Sequence, residues 1–236
     1  MDHEEPLSGV RLTNTRLRTP RAAAVAGILF SLLITLVLVL ILISTPSDPA
    51  APGGWLSNPA RRGTVTLALN LVPFAGITFL WFIGVVRDRL GHLEDRFFAS
   101  VFLGSGLLFV AMLFVGAAFS GGLLAEAVAK SAAAPGPDTL AVGRQITSLL
   151  LRLYAMRMAA VFTMSTATIT LRTQVAPRWI GILGIAIAVV LLVTVNLTLW
   201  VALLFPAWIL LLSVDILRNG FRRSPDAAGT VTSSGS

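Results

Sequence analysis

The sequence predicts an all-α protein: a polytopic transmembrane helical bundle of six spans with both termini cytoplasmic. Of its 236 residues, 56% are hydrophobic and only 12% are charged, whereas an average soluble domain carries about 25% charged residues. Apolar runs of more than about 18 residues, long enough to cross a bilayer as a helix, recur along the chain. The distribution of the basic residues predicts the orientation of the bundle.

The first three predicted spans are residues 22–43, 64–86 and 97–122. The first span follows a polar cytoplasmic tail, residues 1–21, and it exceeds the roughly 7–15 apolar residues of a secretory signal peptide. We therefore expect it to remain uncleaved. Pro73 lies inside the second span, where a proline leaves the Leu69 carbonyl without its helical partner and predicts a kink. Asn70 lies beside this defect, and we expect it to compensate the Leu69 carbonyl.

The last three predicted spans are residues 145–171, 179–195 and 198–217, and a loop over 123–144 precedes them. Residues 179–217 would form a helix of about 58 Å, nearly twice the roughly 30 Å hydrocarbon core, so the segment must turn. Asn196 is the predicted turn. Residues 218–236 form a second cytoplasmic tail, which we expect to be mostly disordered because it is rich in Ser, Thr and Gly.

The basic residues place both termini inside. In this orientation 12 basic residues lie in the inner tails and loops, against four outside and two within the fourth span, as the positive-inside rule requires. Orientation accounts for the net charge of +7, so we expect no nucleic-acid partner. The preference for Arg over Lys is typical of GC-rich genomes and predicts a bacterial inner (cytoplasmic) membrane.

The fourth span carries the polar groups that most need an explanation. A charged side chain near mid-bilayer costs about 2.5–3.5 kcal/mol on insertion scales, and this span holds Arg152 and Arg157. On a regular helix the two lie about 140° apart and cannot share one small site. Tyr154 and Thr168 lie within about 60° of Arg157, so these three predict a polar stripe facing the bundle interior. Arg152 could snorkel outward or reach Glu126.

Two interpretations of this candidate polar site remain open. The arginines could bind an anion or another polar solute in the membrane. Alternatively, they could hydrogen-bond the carbonyls of a kinked helix, such as those near Pro73, or fix the helix register; the sequence favours this structural interpretation. The candidate residues are Arg157, Arg152, Tyr154, Asn70 and Thr168.

The residue inventory argues against enzymatic chemistry. The chain has no cysteine, which excludes disulfides, thiolate metal sites and cysteine nucleophiles. His3 and His92 lie outside the spans, and Asp215 is the one acid within a predicted span, close enough to pair with Arg218. We expect no catalytic residue, no metal and no cofactor. The predicted function is a non-enzymatic accessory or interaction subunit; the alternative is a small transporter or channel for an anionic or amphiphilic solute that uses Arg157.

Small residues at helical spacing predict close contacts between helices. They include Gly106 within Gly104-Ser105-Gly106, the pair Ala118/Gly122, and Gly181 with Gly184. Besides the lipid bilayer, such faces predict a membrane-protein partner or a homo-oligomer.

The charged cluster that begins Arg87-Asp88-Arg89-Leu90-Gly91, with the following Phe97–Gly106 stretch, resembles segments of small, uncharacterised multi-pass inner-membrane proteins of high-GC bacteria. This resemblance implies a multi-pass helical fold and no particular activity.

Overall fold

The computed structural model describes residues 19–44, 58–90, 96–129, 137–174, 176–194 and 199–222. Within these ranges the chain forms helices and no strands, which confirms the predicted all-α class. A π-helical segment, Leu149–Ala155, joins the fourth and fifth helices. The α-helices are α1 (Thr19–Ser44), α2 (Pro59–Leu90), α3 (Arg96–Ala129), α4 (Pro137–Ser148), α5 (Met156–Thr173), α6 (Arg178–Val193), α7 (Leu199–Ala202) and α8 (Leu204–Arg222).

Five helical stretches of the described chain are long and apolar enough to cross a membrane. α6 is apolar but has only 16 residues, which at 1.5 Å per residue is about 24 Å, less than the roughly 30 Å hydrocarbon core. The count of six spans and the cytoplasmic termini therefore stay predictions. The five stretches are Ala22–Ser44, Pro59–Arg87, Ala99–Glu126, Ala141–Thr173 and Trp200–Arg218. The predicted turn at Asn196, the residue His92, and tail residues 1–18 and 223–236 lie outside the described residues.

The helices extend further than the sequence predicts. α3 continues to Ala129 and α4 begins at Pro137, so much of the loop predicted over 123–144 is helical. The alanines of this stretch are the strongest helix formers, and proline is well tolerated in the first helical turn, where its missing N–H has no helical partner to lose. α8 likewise runs to Arg222, so the start of the predicted second tail is helical.

Phenylalanine rings from five helices fill the centre of the bundle. The ring of Phe79 lies 4.5 to 6.3 Å, centroid to centroid, from five other rings. Such aromatic pairs contribute about 0.5–1.5 kcal/mol each beyond the area that they bury. Because van der Waals packing is a main force between helices in lipid, this cluster is a major source of cohesion. Its members, all buried, are Phe30, Phe79, Phe82, Phe102, Phe109, Phe162 and Phe205.

Glycines allow the helices to approach closely. A methyl group at Gly184 of α6 would come within 2.6 Å of the Trp208 ring and 2.8 Å of the Ala167 Cβ. One at Gly106 of α3 would come within 2.5 Å of the Ile83 side chain. The predicted packing role of these two glycines is therefore confirmed. A hydrogen bond reinforces the same region, since the Trp208 indole N–H donates to the backbone carbonyl of residue 180 over 3.0 Å.

The second half of the fourth span lies inside the bundle. α5 packs against α3, α6 and α8, and nine of its 18 residues are buried. The first half, formed by α4 and the π segment, packs mainly against α3. The two halves of one span therefore have different surroundings.

Candidate functional site

The hydroxyl groups of α5 are satisfied by their own helix. We call Thr163–Thr170 the hydroxyl segment. The hydroxyls of Thr163 and Thr166 each donate to the carbonyl four residues earlier, over 2.8 Å. Thr168, a candidate site residue, does the same with the Met164 carbonyl. Because each hydroxyl proton is used within the helix, these side chains can be buried without a polar partner on another helix.

The π-helical segment was not predicted, and it changes the geometry of the arginines. It covers Leu149–Ala155 and so contains Arg152 and Tyr154. In a π-helix the hydrogen bonds join residues i and i+5, so residues five apart approach one face of the helix. The separation of Arg152 and Arg157 around the axis is therefore smaller than the 140° that a regular helix predicts.

The arginines and the tyrosine reach the outer surface of the bundle. Arg152 is exposed, Arg157 is half-buried and Tyr154 is 52% exposed. Among the described residues, we find no hydrogen bond or ion pair for either guanidinium group, and neither group has a nitrogen atom that is buried without a partner. The prediction that the stripe faces the bundle interior is wrong for Tyr154. Tyr154 lies two residues from Arg152, and residues two apart do not share a face of a helix, so we call Arg152 and Arg157 the arginine face.

The arginine face lies near the middle of the membrane-spanning region. Gly116 of α3 lies against Leu151, and Gly106 lies against Phe162, so the arginine face is level with the part of α3 between these glycines. Met112 lies in that part, at the middle of the 28-residue Ala99–Glu126 stretch. At 1.5 Å per residue, each arginine lies within roughly 5 Å of that level. Both therefore lie near the midpoint of this apolar stretch, the position at which a charge is most costly in a helix that crosses a bilayer.

The sixth helix ends near the level of the arginine face. Gly184 of α6 lies against Ala167 of α5, and α6 ends at Val193, nine residues further on. For antiparallel helices in this register, the end of α6 lies opposite about Met158, nine residues before Ala167. The arginine face begins immediately beyond that point, where α6 no longer covers the fourth span.

Asn70 and Glu126 lie away from the arginine face. Asn70 is exposed, and among the described residues it makes no hydrogen bond that would compensate the Leu69 carbonyl, contrary to the prediction. Leu69 lies near Gly121 of α3, about 8 Å along that helix from the level of Leu151. Glu126 lies further along still, about 15 Å from that level, so the predicted reach of Arg152 to Glu126 is wrong.

Asp215 is an acid within a described span, and it has a charged neighbour. Asp215 of α8 is attracted by Arg218, as the spacing of the two residues predicts. The described residues contain no group of three or more His, Asp or Glu side chains that could hold a metal ion.

The comparisons with known proteins identify no relative. No protein-family model matches the chain, and searches of curated proteins and of solved structures returned no match. The site must therefore be interpreted from its own geometry.

Proposed function

We propose that this chain is a non-enzymatic interaction or accessory subunit of a bacterial inner membrane, and that it acts through its lateral surface. One observation carries the proposal: two arginines lie at mid-membrane depth on the outside of the bundle, without a partner among the described residues. Charged groups at that depth are typically paired or functional. A binding partner alongside the bundle would supply the pairing.

The interior of the bundle gives less support to a transport function. A pathway for an anionic solute needs polar groups that line a common passage through the protein. Here the hydroxyl segment donates to its own backbone, and phenylalanine rings fill the space between the helices. The arginine face opens to the side of the bundle rather than into it.

Thermal unfolding with added anions separates the two functions. The full chain in lipid nanodiscs is melted with acetate, succinate, phosphate and glycerol phosphate, alongside Arg157→Gln. We expect no saturable shift for either protein. A solute bound only to the folded chain would instead stabilise it by about 2.7 kcal/mol at a hundredfold excess over Kd. A saturable shift that is lost in Arg157→Gln but kept in the control Arg61→Gln would overturn the proposal in favour of transport.

We also propose six spans with both termini cytoplasmic. The arginine distribution supports this orientation, and the packing of Trp208 of α8 against Gly184 of α6 supports a final pair of spans. Reporter fusions after Pro52, Asp138 and Asn196 are expected to read external, and fusions after His92 and Arg223 internal. An external C-terminus would contradict the pairing of α6 with α8 as two spans.

A further inference from the structure

We infer that the arginine face is the docking surface for a transmembrane helix of another protein that carries an aspartate or glutamate near its middle. The inference rests on the proposed function and specifies the chemistry of the partner. It joins three observations: the depth of Arg152 and Arg157, their exposure, and the end of α6 opposite about Met158.

Depth determines which partners can reach the arginines. Half of a roughly 30 Å hydrocarbon core is about 15 Å, so a guanidinium held within roughly 5 Å of the middle is about 10 Å from the headgroups. An arginine side chain near a helix end can extend to the membrane interface, but from this depth it spans only part of the distance to the headgroups. A lipid headgroup is therefore disfavoured as the partner, and a group fixed at the same depth on a neighbouring helix is favoured.

The chemistry of the face fits a carboxylate. Guanidinium groups bind carboxylates through two parallel N–H···O bonds, and such bonds are stronger where water is excluded. The π segment turns Arg152 toward the side of Arg157, so both can approach one helix.

A second copy of this chain does not provide that carboxylate. The acids in the described membrane-spanning stretches are Glu126 and Asp215, and each already interacts within the chain. Both also lie near the ends of their stretches rather than at the depth of Met112. A two-fold dimer through this face would set arginines against arginines. The charge complement must therefore come from a different protein.

The register of α6 leaves a place for the incoming helix. α6 lies against α5 as far as about Met158, and beyond that level Arg152 is exposed. A partner helix laid along the fourth span there would continue the layer that α6 begins. It would cover the arginines with protein instead of lipid.

A designed peptide tests whether the arginine face binds a carboxylate. The full chain, labelled with an energy donor, is reconstituted in phosphatidylcholine vesicles with an acceptor-labelled polyleucine transmembrane peptide that has one central Asp. Matched peptides carry Asn or Leu at that position. We expect the Asp peptide to bind at least tenfold more tightly than the Leu peptide. The double variant Arg152→Leu/Arg157→Leu should bind both equally, whereas Arg61→Leu/Arg62→Leu, with the same loss of charge, should keep the preference.

The stability of Arg152 variants distinguishes a docking surface from a structural role for the arginines. If the arginines face lipid until a partner binds, Arg152→Leu should unfold no faster than the wild-type chain in the same vesicles, while losing the preference for the Asp peptide. Arg152→Lys, which keeps the charge without the two-pronged geometry, should retain part of that preference. Faster unfolding of Arg152→Leu together with unchanged peptide binding would overturn the inference.

The outcomes also separate this inference from the proposed function. Equal binding of the Asp and Leu peptides, with no anion effect on melting, would reject the acidic partner and leave the interaction subunit standing. A saturable stabilisation by soluble anions would reject the interaction subunit itself. Displacement of the Asp peptide by phosphatidylglycerol, at constant salt and in proportion to its content in the vesicles, would assign the face to an anionic lipid and overturn the inference.

Discussion

The two halves of the fourth span have similar polarity in the sequence and opposite surroundings in the structure. In the second half, the hydroxyl segment is largely buried among α3, α6 and α8. In the first half, Arg152 is exposed at the outer surface on the π segment, and Arg157 is half-buried at the start of the second half. Both halves belong to one continuous Ala141–Thr173 stretch.

Within α5, the polar groups that are buried are hydroxyls that their own helix satisfies. A threonine hydroxyl reaches the carbonyl four residues earlier and needs no other partner. A guanidinium has five N–H donors, which one helix cannot satisfy. The hydroxyls can therefore enter a core of phenylalanine rings, whereas the arginines remain where a second protein can reach them.

The largest expected effect is on the core that surrounds the hydroxyl segment. Phe79→Ala should reduce the free energy of unfolding by about 3 kcal/mol, because it removes a buried ring and leaves a cavity between five neighbouring rings. Phe74→Ala on the same helix is the control, since Phe74 is 60% exposed and should lose far less. Steric-trap unfolding in lipid discs measures both. Equal losses would mean that the ring cluster contributes no special cohesion.

Alanine substitutions at two glycines test the contact that buries α5. They should change the free energy of unfolding by smaller amounts and in opposite directions. Gly184→Ala should cost roughly 1–3 kcal/mol because the new methyl group overlaps Trp208 and Ala167. Gly84→Ala should instead stabilise by up to about 1 kcal/mol, since alanine favours a helix and a methyl group there meets nothing within 4 Å. The same unfolding assay reports both signs. A stabilising Gly184→Ala would show that α6 is not tightly packed on α5.

The hydroxyl segment itself should tolerate loss of a hydroxyl. Thr166→Val keeps the side-chain shape and removes a bond to the Phe162 carbonyl of the same helix, so the free energy of unfolding should change by less than about 0.5 kcal/mol. Thr166→Ala, which also removes a methyl group, should cost more. If the free energy of unfolding fell as much in the valine variant as in the alanine variant, the hydroxyl would have to donate a hydrogen bond to a group outside its own helix.

The smallest effect is expected at Asn70. The sequence predicts that this amide compensates Pro73, in which case Asn70→Leu would cost about 1 kcal/mol. Since Asn70 is exposed and makes no hydrogen bond with the described residues, we expect no measurable loss. Unfolding of Asn70→Leu beside Asn70→Gln checks this, and a loss confined to the leucine variant would restore the compensating role.

The class of the protein and the approximate positions of its helices follow from the sequence alone. Hydrophobic runs and their lengths depend on neighbours in the chain, so the all-α class follows from them directly. The close packing at Gly106 and Gly184 also followed, because only small residues let two helices meet at such distances. The candidate residues Arg152 and Arg157 were found for the same local reason, that charge is rare within a span.

Only the tertiary structure decided where those residues point. A regular helix places Arg152 and Arg157 about 140° apart, and the π segment reduces that angle by changing the hydrogen-bond register of seven residues. The exposure of Tyr154 depends on which side of the fourth span the other helices cover, which is a relation between distant parts of the chain. Sequence periodicity describes one helix at a time, whereas the side on which a polar group is buried is set by the helices packed against it.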